Sequence, residues 1–166
     1  MINGEGNLRR NYPDLDEKQY QPAGIDLRLS KLMILDTNEE VYGIADNVKQ
    51  LPNQKEVPET AVTIKSSSLE TGWLIEPHVP YIGVTKEKIK IDSNSAQIYF
   101  PRSSLLRAGV DVRTALGDPG FNGHLSFLLI NHGVRPFFIK KDERFAQMID
   151  IQVQGSINDY DGDYNE

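Results

Sequence analysis

Between residues 61 and 91 the chain reads AVTIKSSSLETGWLIEPHVPYIGVTKEKIKI, mixing β-branched and aromatic residues with polar ones and frequent Gly and Pro. Short runs of this kind, bounded by turn residues, predict strands rather than helices. HLSFLLIN (124–131) is an apolar run that follows a turn, and RPFFIKK (135–141) is another. RFAQMIDIQV (144–153) alternates apolar and polar over its second half. Turn signals return at roughly 8–12 residue spacing, the rhythm of an all-β sandwich or barrel. No segment sustains a helical period. One short helix is expected at Ser103–Ala108, where a serine can cap an LLRA turn. No internal repeat is visible.

The ends break this pattern. Residues 1–20 are polar, and residues 155–166, GSINDYDGDYNE, are small, acidic and aromatic. Mobile termini are the simplest expectation for such ends. The tail has a second reading, because Tyr160 and Tyr164 bracket a glycine and so could fold over a site. The expected organisation is a single domain over 1–154 with a tail at 155–166 that closes it.

Composition narrows the chemistry. A chain of 166 residues suits one domain, and a domain of that size buries roughly 70% of the surface of its unfolded chain. It contains no cysteine, which excludes disulfides, a thiolate nucleophile and a Cys-rich zinc site. His78, His124 and His132 lack metal-ligand spacing, which argues against a catalytic zinc. No apolar run approaches the roughly 18 residues of a membrane span, and no basic-plus-apolar leader appears. A soluble, cytoplasmic protein without a membrane partner is the expectation. A formal net charge of −6 disfavours nucleic acid, whose binding depends on neutralising phosphates. A small anionic ligand stays open if arginines converge on one pocket.

Four stretches carry candidate chemistry. PAGIDLRLS (22–30) places Asp26 and Arg28 on one face of a strand, either as a surface ion pair or as part of a site. PRSSLLRAG (101–109) gathers Arg102, Ser103, Ser104 and Arg107. A helix beginning there would offer free N–H groups to an anion, or the serine would simply cap it among solvated arginines. GDPGFNG (117–123) holds Asp118 in a turn with two permissive glycines. Phe121 in that turn either caps the core or lies against a sugar or base. ERFAQMI (143–149) sets Arg144 and Gln147 in an apolar frame. A buried Gln needs partners, from a ligand or from neighbouring backbone.

Taken in order, these stretches resemble the motifs of the dUTPase and dCTP deaminase superfamily, over roughly residues 20–150. PAGIDLRLS is similar to its Ala-Gly-x-Asp-Leu motif and PRSSLLRAGV to its Pro-Arg-Ser-x-Leu motif. LGDPGFNGHLSFLLIN is similar to its Asp–aromatic hairpin ending in Asn, and ERFAQMI to its Arg-x-Ala-Gln. The wording Asp-Pro-Gly-aromatic resembles the deaminase-like branch, which includes archaeal-type dUTPases. Deaminases of that branch carry Gly-x-x-x-Leu-Glu after the turn. Here the run is Gly123-His124-Leu125-Ser126-Phe127-Leu128, so leucine stands at the glutamate's place and cannot exchange a proton.

The resemblance implies an all-β, distorted jelly-roll barrel that forms a homotrimer with sites between subunits. It implies dUTP hydrolysis to dUMP and pyrophosphate, with Asp118 activating the water and Mg²⁺ carried by the triphosphate. Asp26 would reach that ion through water. Arg102, Ser103, Ser104, Arg107, Arg144 and Gln147 would bind phosphates, and Phe121 would pack on the deoxyribose. Asn131 and the hairpin would hold the base, with Tyr160 and Tyr164 in the closing tail. The tail resembles the Tyr-x-Gly-x-Tyr ending of the deaminase-like branch and lacks the Gly-rich phosphate-covering motif of trimeric dUTPases. A dCTP deaminase with an atypical proton shuttle, for which His124 is the nearby candidate, is the alternative. A catalytically silent nucleotide-binding protein on the same scaffold is another, and a plain β-sandwich interaction module a further one.

Overall fold

The computed structural model describes residues 1–65, 68–155 and 158–166. In chain order the elements are α1 (Glu5–Asn11), a single 3-10 turn (Glu17–Gln19), β1 (Tyr20–Gln21) and β2 (Gly24–Asp36). Then come β3 (Gly43–Ala45), β4 (Val48–Gln50), β5 (Asn53–Glu56), β6 (Thr60–Val62), β7 (Glu70–Ile75) and β8 (Pro80–Lys90). The second half holds β9 (Ser95–Pro101), α2 (Ser103–Arg107), β10 (Val110–Arg113), β11 (Asn122–Asn131), β12 (Phe137–Lys140) and β13 (Arg144–Gln152).

The principal sheet runs in the order β10-β11-β8-β2-β13-β9, with every neighbouring pair antiparallel. Its first and last strands are consecutive in sequence, separated only by the short α2. So brief a link draws the two ends of the sheet together and curls it into a nearly closed barrel. The all-β fold expected from the strand pattern, and the jelly-roll barrel implied by the family resemblance, is the one observed. A smaller sheet, β12-β7-β6, and the β3–β4 hairpin complete it.

Period-2 burial explains the core. β8 buries every second residue from Tyr81 to Ile89, and β11 buries Leu125, Phe127 and Leu129 on the same side. These meet Ile25, Leu27 and Leu29 of β2 and Phe145 and Met148 of β13. Phe127 lies between Tyr99 and Phe145, with ring centroids 5.0 and 5.8 Å away. Trp73 is buried with its indole N–H donating to the Val57 carbonyl at 3.0 Å.

The polar N-terminus departs from its expectation. Residues Glu5–Asn11 form α1, Leu8 is fully buried, and Ile2 bridges to Ile151 of β13. A seven-residue helix spans two turns, too few for a periodic apolar stripe to show in the sequence. One buried leucine and strand-like pairing hold it instead.

Candidate active site

The turn after β10 opens a cleft of about 400 Å³. Pairing between β10 and β11 ends at Arg113↔Leu128. Beyond that point the hairpin splays, with Ala115 to Asp118 on one wall and His124 to Phe127 on the other. Tyr99, Phe121, Tyr160 and Tyr164 line the same cleft. Asp118 is exposed at its edge, free of ion pairs among the described residues.

The far wall is shaped by a β-bulge between His124 and Ser126, a device that re-aims side chains beside functional sites. Thr85, fully buried, holds it: its hydroxyl accepts from the Leu125 N–H at 2.9 Å and donates to the Glu87 carbonyl at 2.9 Å. His124 Nδ1 lies 3.0 Å from the Thr85 carbonyl, which can only accept, so Nδ1 carries the proton.

Phe121 takes the core-capping role and makes one further contact. It packs against the core cluster and also meets Tyr160 edge to face at 5.8 Å. The tail is not free. The Tyr160 N–H donates to the Pro119 carbonyl at 2.7 Å, and the Glu166 N–H to the Asn122 carbonyl at 2.9 Å. Gly120 has φ +83°, and a Cβ there would lie 2.8 Å from Asp159 Cβ, so the tail's seat needs glycine both for conformation and for room.

The arginine and serine cluster lies elsewhere. Arg102, Ser104 and Arg144 line a second cleft, of about 280 Å³, that shares no lining residue with the first. The helix expected at Ser103–Ala108 forms over Ser103–Arg107, leaving Ser103, Ser104 and Arg107 exposed. Asp26 is 4% exposed. Its Oδ2 is 3.2 Å from both Arg102 Nε and Arg144 Nη1. Burial pushes its carboxyl above the usual range, against the pull of those two guanidinium groups. Gln147 faces Asp26 across the β2–β13 ladder.

Two of the residues singled out in the sequence have partners other than those first considered. Asp26 and Arg28 share a face but do not pair. Arg28 instead binds Glu87 at 2.8 Å and Asp16 at 2.6 Å. Asn131, expected to touch substrate, is 1% exposed. Its amide donates to the Ile75 and Arg135 carbonyls at 2.9 and 2.7 Å, and its oxygen accepts the Gly133 N–H at 2.8 Å. With its hydrogen-bonding groups spent this way it anchors the end of β11. Sequence reading also passed over Gln97 and Tyr99, although a glutamine at an inward position of an apolar strand was a visible signal.

A family model described as dCTP deaminase-like matches residues 4–152. The chain is 40% identical over 164 residues to a probable deoxyuridine 5'-triphosphate nucleotidohydrolase from Methanopyrus kandleri, covering 99% of each chain. It is 32% identical over 164 residues to the deoxyuridine 5'-triphosphate nucleotidohydrolase of Methanocaldococcus jannaschii, covering 99% of this chain and 98% of that one. In fold it is similar to 2'-deoxycytidine 5'-triphosphate deaminase from Agrobacterium tumefaciens, with TM-score 0.65 and 20% identity over 90% of this chain and 47% of that one.

Proposed function

The chain belongs to the dCTP deaminase-like family, and on that premise we propose that it is a dUTP diphosphatase, hydrolysing dUTP to dUMP and pyrophosphate. The observation that carries the reading is the splayed hairpin, with an exposed carboxylate at its mouth and an aromatic wall beside it. Full-length similarity to proteins named as deoxyuridine triphosphate nucleotidohydrolases supports it.

Backbone groups of the Asp118–Asn131 hairpin read the uracil edge. Phe121 packs on the deoxyribose. Asp118 takes a proton from water as the water oxygen bonds to the α-phosphorus, and the bond from that phosphorus to the bridging oxygen breaks, releasing pyrophosphate. Arg102, Ser103, Ser104, Arg107 and Gln147 hold the phosphates and offset the charge that builds on them. Asp26 fixes the heads of Arg102 and Arg144. Among the described residues no three His, Asp or Glu side chains gather on one point. That donor set fits an Mg²⁺ held by triphosphate oxygens and waters, with Asp26 as its contact through water. When bound, the ion neutralises phosphate charge and polarises the phosphorus under attack.

Since the carboxylate cleft and the arginine cleft are separate within one chain, a complete site takes its phosphate half from a second copy. A homotrimer supplies this. Ile98 and Phe100 of β9, 37% and 50% exposed, stand beside Ile149 and Ile151 of β13 and offer an apolar face for it. Residues 155–166 form the tail that closes the base side.

Deamination of dCTP is disfavoured because Leu128 holds no protonatable atom. Incubation with dUTP or dCTP and Mg²⁺, with products resolved by chromatography, tests both readings. We expect dUMP and pyrophosphate from dUTP and unchanged dCTP. Any uracil nucleotide formed from dCTP would overturn the assignment.

A further inference from the structure

The turn that carries Asp118 is seated on buried side chains that the proposed reaction does not yet use. Gly117 exchanges a reciprocal pair of backbone hydrogen bonds with Gln97 of β9, each 2.9 Å. A Cβ on Gly117 would lie 2.3 Å from the Tyr99 hydroxyl, 2.8 Å from Ile91 Cδ1 and 2.9 Å from Gln97 Cβ. Its φ is not positive, so glycine is required here for room alone.

Behind this seat runs a chain of hydrogen bonds. The Tyr99 hydroxyl donates to Gln97 Oε1 at 2.8 Å, and Gln97 Nε2 donates to the Tyr12 hydroxyl at 2.7 Å. Tyr12 donates in turn to the Lys90 carbonyl at 3.2 Å. Next to Lys90, Ile91 grips the other end of the turn: its N–H donates to the Phe121 carbonyl at 2.8 Å and its carbonyl accepts the Gly120 N–H at 3.1 Å. The turn is therefore fastened at both ends to β9 and to the end of β8, and three side chains tie those fastenings together. Gln97 is fully buried and Tyr99 is 5% exposed. Burial raises both phenols above the ordinary tyrosine range, so both remain protonated donors. An apolar strand would need none of this polarity, and leaving any member unpartnered is costly.

We infer that Gln97 and Tyr99 are positioning residues for hydrolysis, setting the height and direction of the Asp118 carboxylate over the cleft. The inference rests on the dUTP-hydrolysis reading. Misplacing a catalytic group by about 1 Å can cost roughly 10²-fold in rate.

Tyr99→Phe keeps the ring against Phe127 and removes the link to Gln97; Gln97→Met keeps the volume and removes the links to both Tyr99 and Tyr12. Both are expected to lower kcat for dUTP about 10- to 100-fold. KM, and the Kd of the non-hydrolysable α,β-imido analogue of dUTP, should stay within roughly twofold, because Gln97 lies behind the cleft and Tyr99→Phe keeps the ring that lines it. Melting curves give the folded fraction of each variant. Asp118→Asn is assayed alongside. Wild-type protein that forms no dUMP from dUTP would overturn the hydrolysis reading itself, and near-wild-type turnover in Asp118→Asn would overturn Asp118 as its base. An inactive Asp118→Asn beside Tyr99→Phe and Gln97→Met of wild-type kcat per folded molecule would overturn the positioning role alone. A rise in KM that accounts for the whole loss would also overturn it.

Discussion

At the scale of single residues, three side chains separate chemistry from packing. Asp118→Asn keeps size and hydrogen bonding but cannot take the water's proton. Turnover should fall about 10²–10⁴-fold while the imido analogue still binds, as calorimetric titration would read. Phe121 closes the sugar side without offering a donor or acceptor to a 2′-hydroxyl. Burying that hydroxyl unpartnered costs on the order of 1–3 kcal/mol, or roughly 5- to 150-fold in discrimination. Phe121→Ala should narrow the dUTP/UTP ratio of kcat/KM by that order; an unchanged ratio would leave Phe121 with its core contact only. Asp150, 2% exposed on β13, is raised above the ordinary carboxylate range by burial, with only partial relief from Asn3 and Ser95. A carboxyl whose folded pKa is raised binds its proton more tightly in the native state. Ionisation then erodes stability as pH climbs from the unfolded value near ~3.9 through the higher folded value. Asp150→Asn, which imitates the protonated acid, should raise the Tm by a few degrees at pH 8. The gain should fade as the pH falls below ~3.9, where wild type becomes protonated in both states.

At the scale of elements, the strands and the four motifs were legible because each is a contiguous run with its own period or turn chemistry. Partnership was not. Asp26 and Arg28 sit two apart in one motif, yet each is neutralised by residues from other elements, Asp26 by Arg102 and Arg144 and Arg28 by Glu87 and Asp16. Asn131 ends a run whose family counterpart suggests a substrate contact, while three local hydrogen bonds claim its side chain. Only tertiary neighbours decide such cases. The tail's docking on the Pro119–His124 segment was one of two readings open in the sequence, and its contacts give it a test. Tyr160 and Tyr164 line the cleft but contribute little to the main core. Truncation after Gln154 should therefore raise KM for dUTP about tenfold or more, the equivalent of ~1.4 kcal/mol of lost binding, with a small change in Tm. A large drop in Tm with unchanged KM would make the tail a structural strap.

At the scale of the whole molecule, the net charge of −6 concealed how the cations are placed. Arg102, Ser104 and Arg144 share one cleft while the acidic, aromatic half occupies another. No reading of a linear chain reveals that two motifs twenty residues apart face different clefts. If a second copy completes the site, a charge on the shared apolar face should remove assembly and activity together. Phe100→Asp is expected to give a monomer by light scattering and to lower kcat/KM at least 100-fold, since the phosphate half is then missing (about 10²-fold is the loss of one well-placed group). A fully active monomer would refute the shared site. The strand order carries a further consequence for how the protein is made. β13 is the last strand in sequence, yet it lies inside the sheet between β2 and β9. On the ribosome, where chains lengthen at roughly 5–20 residues per second, β2 leaves the exit tunnel with one edge unclaimed. β5 takes that edge at Met33–Asp36, and the Ile25–Arg28 stretch of β2 stays open until Arg144–Met148 follow. The chain cannot zip up as it emerges. Its barrel cannot close before β13 is made, and a nascent chain stalled before Arg144 should remain open to protease along Ile25–Arg28 of β2.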